Sequence, residues 1–147
     1  MYEEIIDNLS KQLSREELEY IKSKQLHLGI FIEPGLTDIL NEKRTLEIRF
    51  SKNRQTPFGK LNNGDIVILK RTGGDVVGYF SIKKAEFFEN IDMQEMKEKY
   101  NHLLLASEDI WKLKKDSKYA TLIFIDKVVS LKPFHINKKG MQTWVIL

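Results

Sequence analysis

Residues 41–60 read NEKRTLEIRFSKNRQTPFGK, and this stretch decides the fold. Within it, TLEIRF (45–50) alternates polar and apolar side chains, which is the pattern of a strand with one buried face. Because successive side chains of a strand point to opposite faces, the polar set shares one face: Thr45, Glu47 and Arg49. A carboxylate and a guanidinium on one strand face indicate either a binding site or an ion pair that supports the fold.

The residue chemistry supports both interpretations of Glu47 and Arg49. Their separation of about 7 Å along a strand lets both side chains reach one cleft without pairing. There, Arg49 would make a bidentate contact to a phosphate or a base edge, and Glu47 would accept hydrogen bonds from an amine or activate a water. The alternative is a partly buried ion pair that holds the strand to a helix, since buried charges are usually paired. Both interpretations stay open at this point.

The composition is that of one soluble globular domain, with 147 residues, 41% hydrophobic and 31% charged. The absence of cysteine excludes disulfides and thiolate chemistry. The first residues, MYEEIIDNLSKQL, are acidic and lack the basic and apolar pattern of a secretory signal, and apolar runs such as ATLIFI are too short to cross a bilayer. We therefore expect a cytoplasmic protein that does not enter a membrane. The three histidines follow no metal-ligand spacing, so we expect neither a metal nor a cofactor.

Charge is segregated along the chain. Residues 41–84 carry ten Lys or Arg against four acids, residues 85–110 carry seven acids against two lysines, and residues 111–139 carry eight lysines against two aspartates. Such segregation predicts one side that faces a polyanion and an opposite acidic side. The alternative is that lysine-rich loops only keep the protein soluble.

Apolar periodicity and breaker residues predict an α+β domain of about six strands, most of them antiparallel. The helical patterns share a 3.6-residue period and, in two cases, a serine at the N-cap; they cover 2–12, 14–24, 35–43, 90–101 and 107–116. The strand patterns are rich in β-branched and aromatic residues and cover 26–33, 44–50, 65–70, 76–88, 119–134 and 143–147. The strand at 119–134 is expected to bend near Asp126–Lys127.

Five blocks in order along the chain carry a family resemblance: RTLEIRF, PFGKLNNGDIVILK, GGDVVGYFSIKKAEFF, KYATLIFID and WVIL. Together they resemble the ASCH domain of the PUA-like superfamily. The resemblance covers about residues 26–147 and leaves residues 1–25 as a helical extension. It implies a small β-barrel with flanking helices, in which the signature strand faces a cleft and the preceding helix forms one wall.

The family signature, Gly-x-Lys-Thr-x-Glu-x-Arg, falls on residues 42–49. Thr45, Glu47 and Arg49 match it, whereas Glu42 and Arg44 replace its glycine and lysine. The resemblance implies RNA or nucleotide binding, because ASCH domains are thought to bind RNA and the related PUA domains do so. The predicted contacts are the signature residues together with cations of the loop that follows: Arg44, Thr45, Glu47, Arg49, Lys52, Arg54 and Lys60.

The resemblance also suggests an enzyme. Small hydrolases in the ASCH group deacetylate N4-acetylcytidine-type compounds with a Lys, a Thr and a Glu, and other members have been proposed as ribonucleases. Here the lysine position holds Arg44, which stays protonated and cannot serve as a base, and the threonine position holds Glu47. If the protein is an enzyme, Glu47 is the catalytic candidate, and the Thr45 hydroxyl is the alternative nucleophile. A third alternative is a module that binds another protein through residues 85–110 and the N-terminal helices.

Overall fold

The computed structural model describes residues 1–147. The elements, in chain order, are α1 (Tyr2–Ser10), α2 (Arg15–Lys22), β1 (Leu26–Phe31), α3 (Gly35–Leu40), β2 (Leu46–Ser51), β3 (Ile66–Arg71), β4 (Val76–Glu89), α4 (Met93–Leu104), α5 (Glu108–Leu113), β5 (Tyr119–Phe134) and β6 (Trp144–Ile146). Every predicted helix and strand is present, with boundaries that differ by a few residues. No helix combines the length and the apolar character that a bilayer crossing requires.

All six strands form one curled sheet in the order β2-β5-β4-β3-β1-β6. The β1–β3 pair is parallel and the other four pairs are antiparallel. The predicted α+β fold with six mainly antiparallel strands is therefore confirmed. The predicted barrel is open, however, because β2 and β6 stand at opposite ends of the strand order. The molecule is a half-barrel with an opening between its two edge strands, β2 and β6.

The hairpin of β4 and β5 contains the two longest strands of the sheet. The two strands pair from Val76↔Phe134 to Glu89↔Tyr119, but the register shifts between Phe80 and Ile82. There the partner strand advances from Val128 to Ile125, so Asp126 and Lys127 leave the regular ladder. A bulge of this kind bends a strand, and it coincides with the bend predicted near Asp126–Lys127.

Three apolar clusters hold the helices to the sheet. Phe80, Leu69 and Trp144 belong to the first cluster, on the face that α3 covers. The second cluster lies on the other face, where α1 and α2 pack through Ile5, Leu9 and Ile21 against β1 and β3. The third joins α4 and α5 to β2 and β5. The predicted capping box is present at α2, where Ser14 and Glu17 bond to each other's backbone N–H groups.

Candidate functional site

A tight turn after α3 places the signature residues at the edge of the sheet. The Asp38 carbonyl accepts hydrogen bonds from both the Lys43 and the Arg44 N–H groups, at 2.9 and 3.1 Å. Glu42, in the same turn, has φ 61°, in the left-handed region that favours glycine, which is the residue type of the family signature at this position. The turn delivers Arg44 beside β2, directly next to the carboxylate of Glu47.

Glu47 is the buried centre of an ion cluster whose two arginines are partly exposed. It is 6% exposed, and its carboxylate pairs with Arg44 Nη2 on one side and with Arg49 Nη2, at 3.3 Å, on the other. The Ile48 N–H also donates to Glu47 Oε1 at 2.9 Å, and Arg44 Nε donates to the Leu46 carbonyl at 2.9 Å. Glu47 and Arg49 therefore form an ion pair, as one of the two interpretations of the sequence expected. Arg44 is a second partner of the same carboxylate.

Arg49 spans the opening between the two edges of the half-barrel. From β2 its Nη2 donates to the Ile30 carbonyl of β1 at 2.8 Å, and its Nη1 lies 3.5 Å from the Thr143 carbonyl just before β6. The guanidinium carbon lies over the rings of Phe31 and Trp144, at 4.6 and 5.1 Å from their centroids, which are cation–π distances. One side chain thus joins both edges of the open sheet.

The hydrogen bonding of Arg49 is incomplete. Its Nε is buried and has no hydrogen-bond partner. Burial lowers the pKa of the Arg49 guanidinium; the positive charge of Arg44 acts in the same direction, and the negative charge of Glu47 opposes it. Since arginine stays protonated in proteins, Arg49 remains a partly buried cation whose Nε donor is unused.

The first turn of α3 forms one wall of the site, as the resemblance implied. A Cβ on Gly35 would collide with the Nη1 of Arg44, so the absence of a side chain lets the guanidinium lie against the helix. Arg44 Nη2 and Nε are occupied by Glu47 and by the Leu46 carbonyl, whereas Nη1 makes no hydrogen bond within the protein. Arg44 therefore keeps one donor group for an incoming acceptor.

Arg44, Glu47 and Arg49 line a cleft with a volume of about 840 Å³. Its charged lining consists of five cations and two carboxylates: Arg44, Arg49, Lys70, Lys114, Lys138, Glu33 and Glu47. Four exposed apolar side chains lie on the same lining: Ile32, Leu105, Leu113 and Met141. The cleft thus combines an excess of positive charge with apolar contact surface.

The structure separates the predicted site residues into two groups. Arg44, Glu47 and Arg49 meet in the cleft. Thr45 precedes β2, its side chain is exposed and does not line the cleft, and its carbonyl accepts from the Ile125 N–H at 3.0 Å. The loop cations lie outside the cleft lining and are exposed: Lys52, Arg54 and Lys60.

Arg54 already has partners within the protein. Its guanidinium pairs with Glu89 and lies 5.5 Å from the ring centroid of Phe58 and 5.8 Å from that of Tyr119. Phe58 packs edge-on against Phe87 and Tyr119, so this basic loop is anchored to the sheet by aromatic contacts. These contacts give Arg54 a structural role that its position in a basic loop did not indicate.

Sequence reasoning did not single out several polar residues of the cleft, among them three lysines and a threonine. Lys70 ends the apolar run of β3, Lys114 follows α5, and Lys138 lies in the segment before β6. Thr121 of β5 pairs directly with Arg49 of β2 and lines the same cleft. The segregation of charge pointed to cations in 41–84 and 111–139, but only the fold shows which members of the two segments meet.

Comparisons with known proteins identify the architecture. No protein-family model and no curated protein sequence matches the chain. The structure is similar to the crystal structure of ASCH from Zymomonas mobilis, with a TM-score of 0.67 and 13% sequence identity over 83% of this chain and 87% of that one. Crystal structures of a serine-to-alanine and a tyrosine-to-phenylalanine variant of that protein match with TM-scores of 0.68 and 13% identity, covering 84% of this chain and 89% and 91% of theirs. The chain therefore has the ASCH-type fold.

Proposed function

We propose that the cleft binds single-stranded RNA or a nucleotide, with the Arg44–Glu47–Arg49 cluster as its anion-binding floor. The observation that carries this proposal is that two guanidinium groups share one carboxylate inside a cleft rather than in closed core. One negative charge compensates only one of the two positive charges. The cluster keeps a net positive charge that an incoming phosphate would neutralise.

The unused donors of the cluster support the same proposal. Arg44 Nη1 has no acceptor within the protein, and Arg49 Nη1 has only the Thr143 carbonyl at 3.5 Å. A distance of that length is at the weak limit of hydrogen bonding. Phosphate oxygens are strong acceptors for such N–H groups, and the planar guanidinium offers them in pairs. Lys70, Lys114 and Lys138 add charge along the walls of the cleft.

The size and the walls of the cleft favour a single nucleotide unit over a duplex. A volume of about 840 Å³ lies in the range of small-ligand pockets. Apolar side chains at the wall, such as Leu105 and Leu113, suit the flat face of a base, while the charged floor suits its phosphate. Unpaired bases are the parts of an RNA that a protein reads most directly, because they can leave the stack.

The same geometry favours binding over hydrolysis. Two guanidinium groups and the Ile48 N–H occupy the Glu47 carboxylate, which leaves it little capacity to orient and activate a water. Thr45, the other nucleophile considered, points away from the cleft lining. Incubation with N4-acetylcytidine tests this preference: we expect no cytidine to form, and release of cytidine that Glu47→Gln abolishes would establish the hydrolase alternative.

Fluorescence anisotropy with a short labelled single-stranded RNA tests the binding proposal. We expect saturable binding that weakens as salt rises from about 50 to about 200 mM, because phosphate contacts release counterions. Arg44→Met should weaken binding, whereas Arg15→Met, an exposed arginine of α2 outside the cleft lining, should not. The proposal fails if no RNA or nucleoside monophosphate binds at low salt, or if both variants weaken binding equally.

A further inference from the structure

His27 is a buried ionisable residue that takes no part in the proposed RNA contacts. It lies on β1 without exposed surface, and its two partners, Asp65 and Trp144, are also buried. Its Nδ1 accepts a hydrogen bond from the Trp144 indole N–H at 3.2 Å, and its Nε2 lies 2.8 Å from Asp65 Oδ2. An indole N–H can only donate, so this arrangement requires a neutral His27 whose proton is on Nε2.

The Trp144 ring connects this histidine to the cleft. The ring lies against Gly29 of β1, where an added Cβ would stand 3.1 Å from Trp144 Cζ3. The guanidinium carbon of Arg49 lies over the same ring, 5.1 Å from its centroid. The indole has one N–H and no other polar atom, so the bond to His27 is the hydrogen bond that sets the orientation of the ring beside Arg49.

Protonation of His27 removes the acceptor that holds the indole. A protonated imidazole carries an N–H on both nitrogens and accepts at neither. Two donors, His27 Nδ1–H and the Trp144 N–H, would then face each other with their nitrogens 3.2 Å apart. Asp65, in contrast, keeps its hydrogen bond from Nε2–H and gains an opposite charge as its partner. Of the two partners of His27, Asp65 can hold the protonated ring and Trp144 cannot.

The charged groups that face His27 come from two elements. Asp65, from the loop before β3, bonds to it directly, and Arg49 of β2 lies beyond the Trp144 ring. The neighbouring strands and α3 contribute uncharged, apolar side chains on this side of the sheet: Val67, Ile146, Leu36 and Ile39. A change in the charge of His27 therefore acts mainly on its bonds to Asp65 and Trp144.

We propose that His27 and Trp144 position Arg49 and form a pH-sensitive switch, in which protonation of His27 releases the Trp144 ring and weakens RNA binding in the cleft. The release removes the indole ring against which the Arg49 guanidinium is held. This inference rests on the proposed RNA-binding function. Protonation of a cleft carboxylate, Glu33 or Glu47, would remove negative charge beside the phosphate and strengthen binding, so its effect has the opposite sign.

Fluorescence anisotropy with a short labelled single-stranded RNA tests the switch, at one low salt concentration and at about pH 7.5 and about pH 5.5, the range in which histidine changes charge. The RNA carries no terminal phosphate, because phosphodiesters keep their charge in this range. We expect the affinity to be about fivefold lower at the acidic pH, as for the loss of one hydrogen bond.

Two variants assign the pH dependence to the His27–Trp144 pair. Trp144→Phe keeps an aromatic ring but has no N–H that His27 could hold, so its affinity should change by less than about twofold between the two pH values. The matched control combines His102→Gln with His135→Gln. It removes the two exposed histidines, which lie outside the cleft lining, and should keep the pH profile of the wild type.

NMR of the wild-type protein without RNA follows the two indole N–H groups directly. Trp111 is an internal control, because its indole N–H donates to Asn101 Oδ1 at 3.1 Å and not to a histidine. Over the same pH range, the Trp144 signal should shift with the midpoint that the RNA affinity shows, while the Trp111 signal stays in place.

Four results would overturn the switch. Equal RNA affinity at both pH values would exclude it and leave the proposed function intact. Equal pH dependence of the wild type and Trp144→Phe would assign the effect to another group. Parallel shifts of the Trp111 and Trp144 signals would indicate unfolding in acid instead of release of one ring. The absence of RNA binding at both pH values would overturn the proposed function and the switch together.

Discussion

Two polar clusters contact Trp144, and they differ in how completely their polar groups are paired. In the first cluster, Trp144 Nε1 donates to His27 Nδ1 at 3.2 Å, and His27 Nε2 lies 2.8 Å from Asp65 Oδ2. Because the indole N–H only donates, His27 Nδ1 accepts, and the His27 Nε2–H donates a hydrogen bond to the Asp65 carboxylate. The second cluster is that of Glu47 with its two arginines, and Arg49 stacks on the ring of the same tryptophan.

The two clusters differ in whether all of their polar groups have partners within the protein. The His27–Asp65–Trp144 cluster is closed: all three residues are buried, and both ring nitrogens of His27 have partners. The Arg44–Glu47–Arg49 cluster is open: it lines a cleft, carries net charge and leaves the Arg49 Nε without a partner. A complete network specifies the core, whereas an incomplete one beside a cleft retains capacity for a ligand.

Breaking the closed cluster should give the largest effect on stability. His27→Ala leaves the Trp144 N–H and the Asp65 carboxylate without their partner and opens a cavity in the core. We expect the free energy of unfolding to fall by about 3 kcal/mol or more, as for other losses of a buried polar partner. Urea unfolding followed by circular dichroism measures it. The exposed His135→Ala is the matched control, with an expected change within about 0.5 kcal/mol; equal effects would contradict the structural role of His27.

Arg49→Met tests the open cluster by removing its charge while keeping a side chain that packs against aromatic rings. The methionine side chain would lie over the rings of Phe31 and Trp144, where the guanidinium lies now. We expect RNA affinity to fall by about tenfold, because the loss of one charge-assisted contact is worth roughly 1.4 kcal/mol or more. Anisotropy titration measures the affinity, and urea unfolding of the same variant shows whether the fold survives. Unchanged affinity in a folded variant would exclude Arg49 from the binding site.

Glu47→Gln should lower the stability of the fold and raise the affinity for a phosphate ligand. Removing the carboxylate charge leaves two guanidinium groups without their counter-ion, which destabilises the folded state by about 1–3 kcal/mol. The same change removes the group that repels phosphate, so affinity for a nucleoside monophosphate should rise about fivefold. Calorimetric titration and urea unfolding test the two effects separately. A fall in affinity would show that Glu47 contacts the ligand directly.

The smallest effect is expected from the loop cations that lie outside the cleft. Lys60→Ala should change RNA affinity by no more than about twofold at moderate salt, since an exposed cation contributes little when screened. The measurement is the slope of log affinity against log salt, which should fall by about one if Lys60 contacts a phosphate and stay constant otherwise. A loss of RNA affinity as large as that of Arg49→Met would show that RNA binds to the loop and not to the cleft.

Local patterns predicted the elements and part of the site. The alternation of TLEIRF placed Glu47 and Arg49 on one face of a strand, because that arrangement depends only on the two-residue period. The same reasoning included Thr45, but β2 begins at Leu46, so Thr45 lies before the strand and its side chain is exposed. One residue at a strand boundary therefore decided whether a predicted contact reaches the cleft.

Long-range features could not be read from the sequence. The parallel pairing of β1 with β3 and the open edge between β2 and β6 arise from tertiary packing. The contact of the Arg49 guanidinium with the rings of Phe31 and Trp144 joins three segments that are far apart in the chain. Lys114 and Lys138 likewise reach the cleft only through tertiary packing. Neither lysine has a local sequence pattern that distinguishes it from the other lysines.

The position of bound RNA is the most direct test of whether the open cluster is the binding site. Side-chain Nε–H signals of the arginines can be followed by NMR while a short single-stranded RNA is titrated at low salt. We predict saturable shifts of the Arg44 and Arg49 signals, together with the backbone amides of Lys114 and Lys138, at one common affinity. Shifts confined to residues 52–60, with the Arg44 and Arg49 signals unmoved at saturation, would contradict the account.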